Sequence, residues 1–417
     1  MIFRSLKKVL ATLLPEKNIG KNALIYSLGT YSSKLISLII FPIIAVEIGL
    51  VDTGKYDLVL STVTILVPLF SLQLGDVAYR WLSDPDEKQK EIGVTITLAL
   101  LMPMTILLGA FTVFVWLQYN DPLLWIGSLI LMSQILLSSM MQIVRGNRQI
   151  NLYAYVTIIR SVVFTIGGLY AVFFTNAKLP NLLASFAIAS FFALIFCVWK
   201  GLRKSQFSLI HLKSENIKEV LKYVYPLVFN ALGWMLLINV NKYIISANLG
   251  YEMNGIFAIA DKLATPIYFL GIFYFFSAQD HFLSMSDFAA RKESFKQLIK
   301  KVSLIMTIGI VGLVIGAYLL IPLLFPGLIE GIEFLPWLAA INFFIIMAIY
   351  MGIPYTYNKQ SLALARTTIL GILCTVILSF LLIDPLGLYG VCIAILFGSF
   401  LILILRIKFA KCFFLNS

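Results

Sequence analysis

Four basic side chains and two carboxylates stand where hydrocarbon should. Lys34, Arg160, Lys242 and Lys262, with Asp57 and Asp261, all fall within or at the edge of long apolar runs. A charge at the centre of a membrane helix costs about 2.5–3.5 kcal/mol on insertion scales, so each is expected to face protein or water. Lysine offers a point charge that follows an anion as it rearranges, whereas arginine adds bidentate geometry. A carboxylate at such depth can bind a cation or exchange a proton. Ser27, Thr30, Lys34 and Ser37 recur at helical spacing and place Lys34 on one polar stripe. Asn239, Lys242 and Ser246 repeat that pattern, and Asp261 precedes Thr265-Pro266, where the missing proline N–H frees a backbone carbonyl. The sharp reading is Lys34, Arg160, Lys242 and Lys262 as an anion-binding set, with Asp261 and Asp57 for cation coupling. The bland one is a polar packing seam. Arg160, two turns from a helix end, could snorkel, and adjacent Asp261 and Lys262 could neutralise one another.

Chemistry of the bond-breaking kind finds no machinery. The chain has no H-E-x-x-H, paired C-x-x-C, Walker A or G-x-S-x-G sequence, and His211 and His281 fall in loops, where solvated surface is the default. Cys197, Cys374, Cys392 and Cys412 are placed too poorly for a structural disulfide. No metal site and no cofactor are expected, apart from a coupling Na⁺ or H⁺.

The elements that position these charges are membrane helices. Composition is 60% hydrophobic and 12% charged, with a mean hydropathy of +0.94, which leaves too little polar surface for a soluble domain. Twelve spans are predicted near residues 22–46, 57–79, 92–117, 122–144, 153–174, 180–199, 224–247, 255–278, 302–324, 335–356, 367–384 and 388–407. The runs lack two-residue alternation, which excludes a transmembrane β-barrel. Of 32 basic residues, 26 fall in the termini and even-numbered loops, Arg406 among them in the tail, while the opposite loops hold Lys55 and Lys178. That bias puts both termini in the cytoplasm. It also explains the net charge of +12 without nucleic acid as a partner. Residues 1–21 form a cytoplasmic segment with an interfacial helix on membrane lipids as one reading.

The hydrophilic segment 200–223 separates a bundle over 22–199 from a second over 224–407, with a tail at 408–417. An offset of 201 aligns Ile48-Gly49 with Leu249-Gly250, Gly54 with Gly255 and Tyr56 with Phe257. Six spans per half is even, so the halves should be parallel repeats about the membrane normal, with a central cavity between them.

Asn22-Ala23-Leu24-Ile25-Tyr26 through Phe41-Pro42, Gly54-Lys55-Tyr56-Asp57, Leu74-Gly75-Asp76 and Arg145-Gly146-Asn147 carry a likeness to a known family. So do Leu152-Tyr153-Ala154-Tyr155, Tyr225-Pro226-Leu227 and Gly255-Ile256-Phe257-Ala258. In their order and spacing the chain resembles the Wzx-type oligosaccharide flippases, in the superfamily that also holds multidrug extrusion transporters and the lipid II flippase. The resemblance implies a carrier of undecaprenyl-pyrophosphate-linked oligosaccharide, driven by a cation gradient, in a bacterial inner membrane. A polysaccharide polymerase and other assembly proteins are its candidate partners. The basic set would then face the pyrophosphate. Two alternatives stand beside it: a multidrug extrusion antiporter of the same fold, and a membrane-embedded polymerase. Basic residues outnumber acidic ones in the spans, which disfavours cationic drugs. The short outside loops and the spans free of histidine disfavour an enzyme.

Overall fold

Hydrocarbon offers backbone groups no partners, so a chain crossing it must satisfy them within each segment, and the helix does so. The computed structural model describes residues 17–82, 86–119, 121–201, 208–284, 288–357 and 361–415. Excepted are the side chains of 17–35, 37, 209, 230, 273–274, 276–291, 356–357, 361–362 and 409–415. Among these residues there are helices and no strands. In order they are α1 (Lys17–Ser71), α2 (Leu74–Leu82), α3 (Glu87–Tyr119), α4 (Pro122–Gly146), α5 (Ile150–Phe174), α6 (Lys178–Gly201) and α7 (Ser214–Asn248). There follow α8 (Gly250–Ser284), α9 (Phe288–Leu324), α10 (Ile329–Tyr350), α11 (Ile353–Tyr357), α12 (Ser361–Leu386) and α13 (Leu388–Leu415). Ten of them, α3 to α10 with α12 and α13, are long and apolar enough to cross a bilayer. Large side chains such as Ile106, Phe111, Ile308 and Leu373 point outward, as a lipid-facing surface requires. The protein is an all-helical, multi-pass membrane protein.

The first two spans form one element, α1, divided where Gly49 leaves helical geometry at φ 78° and ψ 169°. The matching turn of the second half is Gly250 at φ 88°, between α7 and α8. Both positions need the left-handed region that glycine enters without steric cost, so the aligned glycines mark real turns. The second span does not run straight to residue 79. It breaks at Leu72 and Gln73, whose φ values are 48° and 51°, and α2 leaves at 57° to the preceding helix. Pro68 stays inside α1. The break is held by Ser71 Oγ, which accepts from the Gln73 N–H at 3.2 Å, and by the Asp76 N–H donating to the Gln73 carbonyl. Several helices outrun their expected spans. α7 starts at Ser214 inside the expected linker, and α13 continues to Leu415.

The core of the first half joins α1 to α6, and that of the second joins α7 to α10, α12 and α13. Each half also lends a piece to the other. Ala45 of α1 is buried in the second half's core, while Val220, Val224 and Val228 of α7 are buried in the first, where Tyr223 meets Trp81 edge-on at 5.3 Å. The sides of the protein are called here the glycine-turn face, with Gly49 and Gly250, and the linker face, with residues 208–213.

Candidate functional site at the seam between the halves

The halves come closest where α1 crosses α8, just past the two glycine turns. A Cβ on Gly54 would sit 1.8 Å from the carbonyl oxygen of Tyr251, and one on Gly255 would sit 2.0 Å from that of Leu50. Leu50 and Tyr251, like Gly54 and Gly255, are related by the 201-residue offset. The contact is therefore reciprocal, as a two-fold axis between repeats demands. Asn254, fully buried, adds a hydrogen bond from Nδ2 to the Gly54 carbonyl at 2.8 Å.

One turn farther from the glycine-turn face, Asp57 of α1 meets two lysines of the second half, one of which also holds Asp261. The Lys242 amine of α7 lies 2.9 Å from Asp57 Oδ2 and 3.2 Å from Oδ1, and only the Oδ1 contact has hydrogen-bond geometry. Asp57 Oδ2 has no hydrogen-bond partner although it is buried. Lys242 also donates to Asp261 Oδ2 of α8 at 3.3 Å. Lys262 reaches within 4.0 Å of Asp57 Oδ1. Asp57 and Lys242 are 3% and 4% exposed at the side chain, Asp261 and Lys262 are 30% and 39%. The quartet thus has a buried pair and a part-exposed pair, and its formal charges cancel. Neighbours in sequence on a helix point about 100° apart, which is why Asp261 and Lys262 choose different partners. Beside the quartet the Thr62 and Tyr243 hydroxyls bridge the halves at 2.6 Å.

Four of the six singled-out residues, Asp57, Lys242, Asp261 and Lys262, are therefore one network. The part of the expected basic set they contain is neutralised by carboxylates, because both lysines fall opposite Asp57 across the seam. Arg160 lies elsewhere, inside the first half. It donates to Gln134 Oε1 at 3.1 Å, covers the Phe186 ring at 4.8 Å, and Gln134 in turn donates to Ser190. Lys34 belongs to the helical backbone of α1, but its side chain and those of Ser27, Thr30 and Ser37 lie outside the described residues, as do residues 1–16.

Two residues read as surface are not. Arg406, assigned to the tail, is 1% exposed within α13. It donates to the Ala348 carbonyl at 2.6 Å, Thr368 Oγ1 at 2.9 Å and Thr367 Oγ1 at 3.2 Å, and lies 5.7 Å from the Trp234 ring centre. Arg406 stands just inside the expected span end at 407, and hydroxyls on α12 receive the guanidinium. His211, read as solvated, contacts Glu91 Oε2 at 3.0 Å while Ser208 N–H donates to Thr95 Oγ1, so the linker docks on α3. The sequence marked the seam charges as lying within apolar runs but gave no sign of the Arg406 and His211 contacts. A partner 185 residues away leaves no local signal.

Several solved membrane transporters share this fold. The chain superposes on an inward-facing multidrug resistance MATE family transporter of the MOP superfamily with a TM-score of 0.74 at 12% identity, covering 94% of this chain and 98% of that one. The lipid II flippase MurJ in its inward closed conformation gives 0.72 at 14% identity, over 93% and 87%. MATE in the straight conformation gives 0.68 at 13%, over 94% and 95%. At such identities the likeness is one of fold. No curated protein matches the sequence. Residues 19–279, more than half of the chain, match the polysaccharide biosynthesis protein family. The chain belongs to the polysaccharide biosynthesis protein family.

Proposed function

We propose that the protein is a flippase that carries undecaprenyl-pyrophosphate-linked oligosaccharide from the inner to the outer leaflet of a bacterial cytoplasmic membrane. It would work by alternating access of the two halves, performing no covalent chemistry. The observation that carries the reading is a charged seam between two six-helix halves in a chain of the polysaccharide biosynthesis family. A buried ion pair across a seam is held only while the halves touch, so the two sides of such a seam have two arrangements to exchange. The linker face, rich in lysine and arginine, is assigned to the cytoplasm together with both termini, and the glycine-turn face to the outside.

The anionic headgroup would be drawn by Lys262, the most exposed cation of the quartet, and by Lys34 and Arg160. Lys242 joins them only if its carboxylates let it go. Drive would come from a Na⁺ or H⁺ gradient acting on Asp57 or Asp261, or from removal of the product outside. Partners are the lipid-linked sugar, membrane lipids and the polymerase that consumes the product.

The test is reconstitution in proteoliposomes with fluorescent undecaprenyl-pyrophosphate oligosaccharide. Flipping should require the protein, accelerate under an imposed Na⁺ or H⁺ gradient and fall on Lys262→Ala or Lys34→Ala. Export of hydrophobic cations in place of the lipid would overturn the reading in favour of drug extrusion, which the MATE-like fold also accommodates.

A further inference from the structure

Resting on that reading, we propose that Lys242 and the coupling cation compete for Asp57. The buried pair is a bolt on the glycine-turn face that a monovalent cation at Asp57 releases.

The argument is one of asymmetry. Among the described residues, the cations within 4.0 Å of Asp57, Lys242 and Lys262, both belong to the other half. When the halves part at the glycine-turn face, Asp57 loses both. Lys242 does not become bare, because Asp261 at 3.3 Å travels with it on α8. Opening therefore strands one carboxylate and leaves the second half with its own ion pair. A carboxylate bare in a low-dielectric seam is strongly unfavourable, so opening proceeds when something replaces the lysine. Lys242 and Lys262 leave together with Asp261, a net single positive charge, and a single positive charge, H⁺ or Na⁺, replaces it. Asp57 Oδ2, buried and 2.9 Å from the Lys242 amine, is the atom the lysine leaves and the cation takes.

The other groups facing the site do not supply that charge. Arg160 is held inside the first half by Gln134 and Phe186. Lys262 moves with the second half. Asp261 is the remaining acidic member. It keeps Lys242 in both arrangements and, being part-exposed, offers the cation a way out as the bolt re-forms. A cation entering from the glycine-turn face thus favours opening there, and its loss restores the pair. Binding at Asp57 and opening are linked, so each promotes the other by the same factor.

The test uses the full chain in proteoliposomes, with its four cysteines replaced by serine and spin labels at Asp52→Cys and Glu252→Cys across the glycine-turn face. The open fraction is measured while H⁺ and Na⁺ are titrated separately. With Asp57 and Lys242 intact, the open fraction should rise with one of the two cations. Asp57→Asn should abolish the dependence. Lys242→Gln should bring opening at a cation concentration lower by at least about tenfold, because the competitor is gone. Should Lys242→Gln fail to fold, Asp57→Asn with Lys242→Gln removes both charges together and should be cation-insensitive. Retained cation dependence in either Asp57→Asn form, or a higher requirement in Lys242→Gln, overturns the proposal. Cation-driven flipping with an unresponsive label distance overturns it while leaving the flippase reading intact. Flipping that ignores both gradients instead removes the coupling reading beneath it.

Discussion

Replacing Gly255 by alanine places a methyl group where the structure has a backbone oxygen. The new Cβ would lie 2.0 Å from the Leu50 carbonyl oxygen, and the relevant contact distance for carbon and oxygen is about 3.3–3.6 Å. Because the atom met is backbone, α1 and α8 must separate by roughly 1.4 Å to accept it. Overpacking of this size costs about 1–3 kcal/mol. The strain exists only while the glycine-turn face is closed, whereas the gain in helix propensity, about 0.8–1 kcal/mol for alanine over glycine, is present in both arrangements and cancels. The closed-to-open ratio should therefore fall by about 5–150-fold. The same separation would carry the Lys242 amine from 2.9 Å to roughly 4 Å from Asp57 and weaken the bolt as well. Distance distributions between spin labels at positions 52 and 252 give that ratio directly. Gly316→Ala, where nothing lies within 4 Å of the added Cβ, is the control and should leave the distribution unchanged. A Gly255→Ala protein with the unmodified distribution would refute the view that this crossing is a contact broken during the cycle.

Further predictions follow from the buried charges. Lys242→Met should cost about 3–5 kcal/mol in unfolding free energy, because it leaves Asp57 buried with Lys262 at 4.0 Å as its nearest cation, whereas Lys262→Met should cost less than about 1 kcal/mol. Equal losses in detergent-solubilised protein would contradict the division into buried and exposed pairs. Arg406→Lys should destabilise by about 2–4 kcal/mol, since an ammonium cannot reach Ala348, Thr367 and Thr368 together as the guanidinium fork does. An unchanged unfolding midpoint would show that the three contacts carry no weight. A double-mutant cycle on His211 and Glu91 should give a coupling below about 1 kcal/mol that shrinks in high salt, because the pair is partly solvated.

Hydrophobic length decided the helices, and length is a local property. Spans could be read from runs such as 123–144 and 303–324 because a bilayer demands about 20 apolar residues in a row. The glycine turns at 49 and 250 were legible for a different reason: a duplicated pattern leaves the same residue at the same offset, and only glycine takes that backbone conformation cheaply. The break at Leu72 and Gln73 was not legible, since neither residue favours positive φ. Arg406 illustrates the same limit. Its position near a span end read as a topological charge, and only the hydroxyls of Thr367 and Thr368 on a neighbouring helix draw it inward. The depth of Lys242 and Asp261 was visible in the sequence as charge within apolar runs. That Asp57 lies against Lys242, and that the quartet cancels to neutrality across the seam, was decided by how α1, α7 and α8 pack. A charge in a membrane declares that it needs a partner, but the partner's identity is a fact about distance in space, which the order of residues does not contain.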